Sequence, residues 1–209
     1  MSASAFARTV DVFAAQNLSP AALSARLAET AREDVARLIA SGRASPRYRR
    51  FVDGVEGAPE TAVKPDGMIL YRFDYMAEVA AFVLSFLEAR APKRTGEFSK
   101  SFYLGLDGKF VPARFFNPAT MGDVREIACG NMQPQARIAD TQMVGTKRVR
   151  FSVPPGMFED AAQAVRSRFG NIVTAKRVYT LRWPGQYTLR TGKRAGKPVE
   201  SPAVVITRR

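Results

Sequence analysis

The chain predicts an α+β fold: a small antiparallel or mixed β-sheet packed against two or three α-helices, with extended arms and a long loop. Three observations lead there. Apolar residues recur at helical spacing in three stretches, over residues 19–41, 75–90 and 157–169. Around them lie short runs rich in β-branched and aromatic residues, punctuated by glycine, proline and an Asp-Gly pair. With 46% hydrophobic and 24% charged residues over 209 positions, the chain has the make-up of a folded domain that buries a core.

The elements follow in order. Residues 1–17 read as an N-terminal arm. Ser19 before Pro20 has the pattern of an N-cap with proline at the first helical position. Leu23, Leu27, Ala31, Val35 and Leu38 then mark the apolar stripe of a helix from Ser19 to Ser41, stopped by Gly42, with Arg26, Glu29, Arg32, Glu33 and Arg37 on the wet side. Residues 42–65 carry Gly42, Pro46, Gly54, Gly57, Pro59 and Pro65 and read as a long loop, of the kind ordered by a neighbouring subunit. Met68 to Phe73 suits a strand. Tyr75 to Arg90 places Met76, Val79, Ala80, Val83, Phe86 and Leu87 on one stripe and is the expected core helix, with Phe82 and Phe86 as packing groups.

After Pro92, a turn at Thr95-Gly96 leads to a strand through Phe102, Leu104 and Leu106, and Asp107-Gly108 marks a hairpin. Phe110 to Phe116 and Val124 to Ala128 are further strands. Met157 to Phe169 is a second well-marked helix, and Ile172 to Trp183 is β-rich. These elements make residues 18–183 an α+β core domain. Residues 184–209, holding Gln186 to Arg190, the basic tip Arg190 to Lys197 and Ala203 to Thr207, form a basic C-terminal hairpin or arm.

Charge is concentrated near the C-terminus. The whole chain carries 32 Lys and Arg against 19 Asp and Glu, a net +13. From Thr141 onward there are 14 basic and 3 acidic residues, so the first two thirds are nearly neutral. Such a segment suits nucleic acid or an acidic protein surface, and equally suits solvated loops.

The chemistry available is narrow. The chain has no histidine, which removes Ser-His-Asp and Cys-His catalysis and imidazole metal sites. Cys129 is the single cysteine, so no internal disulfide or thiolate zinc cluster forms; it reads as a small buried strand residue. Gly185 to Lys193 has the wrong spacing for a phosphate loop. Asp53 with Glu56, or Asp123 with Glu126, lacks a metal-nuclease spacing and sits beside turn residues. Trp183, Tyr179 and Tyr187 alternate with Lys176, Arg177, Arg182 and Arg190, a mixture that serves either base stacking or cross-strand packing. The longest apolar run, Val79 to Leu87, is broken by Ser85 and falls far short of the ~20 residues that span a bilayer. The N-terminus lacks the basic and apolar regions of a secretory signal. No enzyme activity, cofactor, metal or membrane partner is expected.

Three stretches together resemble a known family. Phe51-Val52-Asp53-Gly54-Val55-Glu56-Gly57-Ala58-Pro59, followed by Val63-Lys64-Pro65-Asp66-Gly67, is similar to the N-terminal half of tailed-phage neck proteins. Ala91-Pro92-Lys93-Arg94-Thr95-Gly96-Glu97-Phe98-Ser99-Lys100-Ser101 resembles the aP-x-x-TG-x-L-x-x-S signature of the tail-component family related to the lambda-type minor tail protein Z, with Phe98 at the leucine position. Asn131-Met132-Gln133-Pro134-Gln135-Ala136-Arg137, then Arg166-Ser167-Arg168-Phe169-Gly170-Asn171, is similar to its N-x-x-P-Y-A-R and RFGN, with Gln135 in place of tyrosine.

The resemblance implies a bacteriophage virion structural protein of the head-to-tail joint: a neck protein, head-tail connector, tail-completion or tail-terminator subunit, assembled in the host cytoplasm. It implies a homo-oligomeric ring around the DNA channel. Six-fold tail symmetry makes six or twelve copies natural. Expected partners are portal, neck or tail-tube proteins and the genomic DNA. The family has no known catalytic residues to carry over. Arg190, Lys193, Arg194 and Lys197 are the candidate DNA-channel or partner contacts, and Thr95 and Gly96 the candidate structural turn. The alternative class is a small basic cytosolic nucleic-acid-binding protein.

Overall fold

A computed structural model describes residues 19–93, 96–144, 146–183, 186–192 and 195–209. The arm expected over 1–17, together with Thr95, Lys193 and Arg194, lies outside the described residues. The fold is α+β, with five helices and three antiparallel sheets among the described residues, and the chain divides into two compact units between Tyr75 and Met76.

In the first unit, helix α1 runs from Pro20 to Ala40. The Ser19 hydroxyl accepts the Ala22 N–H at 3.2 Å, proline opens the first turn, and the Ser41 N–H closes the last turn on the Arg37 carbonyl. The buried face differs from the expected stripe. Ala28 and Val35 are buried, whereas Leu23 and Leu27 are exposed. The helix packs chiefly on the segment 58–63, and Ala28 forms a small core with Val52 and Val63.

Residues 42–65 are not the open loop the glycines and prolines suggested. Strands β1 (Tyr48–Val52) and β2 (Val55–Glu56) form a hairpin whose turn, Asp53 and Gly54, has φ of 48° and 84°, as a two-residue primed turn requires. A short 3-10 turn, Glu60–Ala62, precedes strand β3 (Ile69–Phe73), which pairs antiparallel with β1 from Tyr48↔Phe73 to Val52↔Ile69. Two carboxylates order what lies between. Asp53 accepts the N–H groups of Lys64 at 3.0 Å and Met68 at 2.8 Å, and buried Glu60 accepts the Arg50 guanidinium at 2.8 Å and the Tyr71 hydroxyl at 3.1 Å.

The second unit is built on a five-stranded antiparallel sheet in the order β5-β4-β6-β10-β9. Its strands are β4 (Phe102–Leu106), β5 (Lys109–Pro112), β6 (Glu126–Asn131), β9 (Val173–Val178) and β10 (Ala203–Arg208). Helices α2 (Met76–Ala89) and α5 (Met157–Phe169) join one core with the sheet. Val79, Val83 and Leu87 of α2 and Phe158, Ala161 and Val165 of α5 meet Phe102, Leu104, Ile127, Cys129, Val204 and Ile206. Phe82 packs edge-on against Phe169 at 5.5 Å, a packing group as expected.

Short elements connect these parts: α3 (Glu97–Lys100), α4 (Ala136–Thr141) and a small hairpin of β7 (Met143–Val144) with β8 (Lys147–Arg148). The expected strand Phe110 to Phe116 bends after Pro112 into a 3-10 turn at Ala113–Phe115. The sequence also placed 203–207 in a C-terminal arm, whereas β10 is an inner strand between β6 and β9. Its consecutive Ala-Val-Val-Ile is buried on both faces, the pattern of an interior strand.

Candidate functional site

Two of the three motif stretches meet in space. β4 and β6 are neighbours, and the pairing of Phe102 with Asn131 brings the residues just before β4 against those just after β6. Asn131 is fully buried. Its amide nitrogen donates to the Phe98 carbonyl at 2.7 Å, and its amide oxygen accepts the Gln133 N–H at 2.9 Å. The Gln133 side chain donates to the Ser101 hydroxyl at 2.8 Å, which in turn donates to the Glu97 carbonyl at 2.6 Å. The backbone adds a bond from the Met132 N–H to the Ser101 carbonyl at 2.9 Å.

Gly96 opens α3 with φ of 71°, a left-handed conformation that costs side-chain-bearing residues, while an added Cβ would meet nothing within 4 Å. Its carbonyl accepts the Ser99 hydroxyl at 2.8 Å. The turn is therefore a backbone requirement rather than a packing one.

A second node lies at α4. Asp140 is buried, accepts the Phe158 N–H at 3.1 Å and the Tyr179 hydroxyl at 2.8 Å, and stands 3.6 Å from the Arg177 guanidinium. Burial and the Asp140 hydrogen bond push the Tyr179 hydroxyl up to about 12. Arg137, one helical turn earlier, pairs with Glu200 and lies 5.5 Å over the Tyr179 ring. The motif residue Arg137 thus pins both ends of the chain segment 179–200 to α4. Neither Asn131 nor Asp140 was named as a site residue from the sequence; Asn131 entered only as the first residue of the N-x-x-P-Y-A-R likeness, and nothing in the sequence marked Asp140.

From α4 the segment 179–183 crosses the second face of the sheet. Trp183 packs on Tyr103 at 4.8 Å and Tyr103 stacks on Phe110 at 5.0 Å. Gly130 makes room, since a Cβ there would stand 2.5 Å from the Tyr103 hydroxyl oxygen. The aromatic–basic alternation therefore serves packing at Trp183 and Tyr179.

The basic tip projects from this base. Residues 187–189 and 197–199 pair through the Thr188↔Pro198 bridge and hydrogen bonds from Leu189 N–H to Lys197 C=O at 2.9 Å and from Val199 N–H to Tyr187 C=O at 2.8 Å. Arg190 and Lys197 are exposed at its end. Lys147, Arg148 and Arg150, in and beside the small hairpin that follows α4, are exposed too. None of these five cations forms an ion pair with a described residue. By contrast Arg166 pairs with Glu159 at 3.0 Å and Arg208 with Asp123 at 2.8 Å.

The other chemical candidates are occupied. Asp53 is held by backbone amides, which lower its carboxyl below the ordinary range. Asp123 takes Arg208, and among the described residues no three His, Cys, Asp or Glu side chains gather as a metal cage. Cys129 is buried, and burial pushes its thiol up, away from nucleophilic use. No described helix is long and apolar enough to cross a membrane. Comparison with family models, curated proteins and solved structures returns no match to this chain.

Proposed function

We propose that this chain is a structural virion protein of a tailed bacteriophage, one subunit of a ring at the head-to-tail joint through which the genome passes. The observation that carries the reading is the junction at Asn131. Signature segments that lie 33 residues apart, from Phe98 to Asn131, are joined by the buried bond from Asn131 to the Phe98 carbonyl and the half-buried bond from Gln133 to the Ser101 hydroxyl. The two segments complete each other's hydrogen bonds, which supports reading them as parts of one structural unit.

The exposed cations support the same reading. Arg190, Lys197, Lys147, Arg148 and Arg150 supply charge that no carboxylate of the described chain neutralises, suited to phosphate or to acidic neighbours. The competing reading is a basic nucleic-acid-binding protein that acts alone, favoured by those same cations.

The two readings separate in one experiment. Tailed particles are imaged with the chain intact and with it deleted. The ring reading expects density for six or twelve copies at the joint, and unjoined heads and tails on deletion. Normal joined particles lacking the chain would refute it.

A further inference from the structure

The two large sheet edges of the second unit are guarded. On β9 the outward carbonyl of Ala175 accepts the Arg166 guanidinium at 2.8 Å. On β5 the strand is four residues long and ends at Pro112, which has no N–H to offer. Strand β3 of the first unit has neither a covered carbonyl nor a proline among the described residues, and its single charged side chain is Arg72.

Its pairing register shows what it presents. Asp53 N–H bonds to Met68 C=O and Asp74 N–H to Arg47 C=O, at 2.9 and 2.8 Å. Residues 68, 70, 72 and 74 therefore turn their backbone groups toward β1, and Ile69, Tyr71 and Phe73 turn theirs outward. No strand among the described residues pairs with that side.

The side chains on one face of this edge also lack complements. Met68 is 62% exposed and Leu70 50% exposed. Arg72 is exposed, forms no ion pair with a described residue, and stands directly opposite Arg49 in the ladder. Like charges opposite each other repel. Arg49 has Glu56 at 3.7 Å; Arg72, on the open side, awaits a carboxylate.

We infer that the open edge of β3 is a strand-addition site for an extended segment of a partner protein that carries a carboxylate two residues before an apolar side chain. An antiparallel strand would bond to the outward groups of Ile69, Tyr71 and Phe73. Its residue opposite Arg72 and the one two positions later, opposite Leu70, fall on the same face. The acidic group answers Arg72, and the apolar one covers Leu70. Main-chain bonds supply affinity and these two side-chain contacts supply selectivity. The inference goes beyond the proposed virion role and holds whether or not the chain forms a ring.

The test uses the full chain and a fluorescent peptide, Ser-Thr-Glu-Val-Leu-Thr-Ser, with two controls: Lys replacing Glu, and N-methylation of alternate amides. Binding is followed by anisotropy and by amide exchange. The expected result is saturable binding of the Glu peptide, at least tenfold weaker binding of the Lys peptide, and none of the methylated one. The amides of Ile69, Tyr71 and Phe73 become protected, and Arg72→Glu reverses the preference between Glu and Lys peptides. Arg72 is a surface side chain, and circular dichroism checks that the variant folds. Equal binding of the methylated peptide, protection elsewhere, or no binding overturns the inference. Protection of those amides without peptide, rising with a doubling of solution mass, assigns the edge to a second copy and overturns it likewise.

Discussion

Replacing Asn131 tests the junction of the two signature segments. In Asn131→Ala, the Phe98 carbonyl and the Gln133 N–H lose their side-chain partner, the first of them in a buried position. The Phe98 carbonyl keeps the Ser101 N–H at 3.2 Å, so the loss is that of two hydrogen bonds with Gln133 N–H left half-buried, about 1–3 kcal/mol in all. That is a large share of the ~5–15 kcal/mol that holds a typical domain together.

The near-isosteric Asn131→Asp is the sharper variant. Its carboxylate can still accept from Gln133 but faces the Phe98 carbonyl with a lone pair where the amide donated. In a site with no solvent access this costs roughly 3 kcal/mol or more at neutral pH, at least as much as alanine. The sign with pH follows. Burial beside a carbonyl raises the new carboxyl above its unfolded value of about 3.9, so the folded form takes up the proton first. The penalty is full above the raised value and is relieved as pH falls toward the unfolded one. Urea unfolding followed through Trp183, the single tryptophan and a reporter in the same unit, reads both variants. An Asn131→Asp protein within about 0.5 kcal/mol of the parent at pH 7, or one that weakens further relative to the parent on acidification to pH 4, would refute the reasoning.

Further outcomes are expected elsewhere. At Gly96, whose φ is 71°, substitutions should destabilise in the order valine, alanine, asparagine, with valine near 1–2 kcal/mol and asparagine least; equal melting temperatures for all three would rule out a backbone cause. Gly130→Ala should displace Tyr103 from Trp183 and shift the tryptophan emission, whereas an unchanged spectrum would show that the added methyl is accommodated without moving the ring. Burial and hydrogen bonds to Glu60 and Asp140 push Tyr71 and Tyr179 up to about 12, so their stabilisation is intact below pH 10 and is lost as pH rises through 12; spectrophotometric titration should find two tyrosines ionising there. Reversing Arg190 and Lys197 to glutamate should leave urea stability within ~0.5 kcal/mol and, if these side chains meet phosphate, lower the salt slope of DNA binding by about one for each phosphate no longer neutralised.

Much of this protein was legible in the order of its residues. Ser19 and Pro20 start α1 and Gly42 ends it because capping and proline geometry act within one turn of chain. Asp107-Gly108 makes the β4–β5 hairpin for a comparable reason: two residues suffice to reverse a strand. The cores of α2 and α5 and the burial of Cys129 follow from apolar periodicity alone. Tertiary contacts decided the rest. The stretch 42–65 is ordered by Arg50 and Glu60, ten positions apart, and by Asp53 reaching Lys64 and Met68; glycine and proline content records only local freedom. β10 became an inner strand because its partners, β6 and β9, lie far back in the chain, and a short apolar run does not name its neighbours. Leu23 and Leu27 are exposed because the partners of α1, Val52 and Val63, meet it at Ala28, and an apolar stripe does not say which of its residues a partner will reach. Asn131 acquired its long-range role only when the pairing of β4 with β6 carried the Phe98 carbonyl to it; its bond to the Gln133 N–H, two residues on, is local.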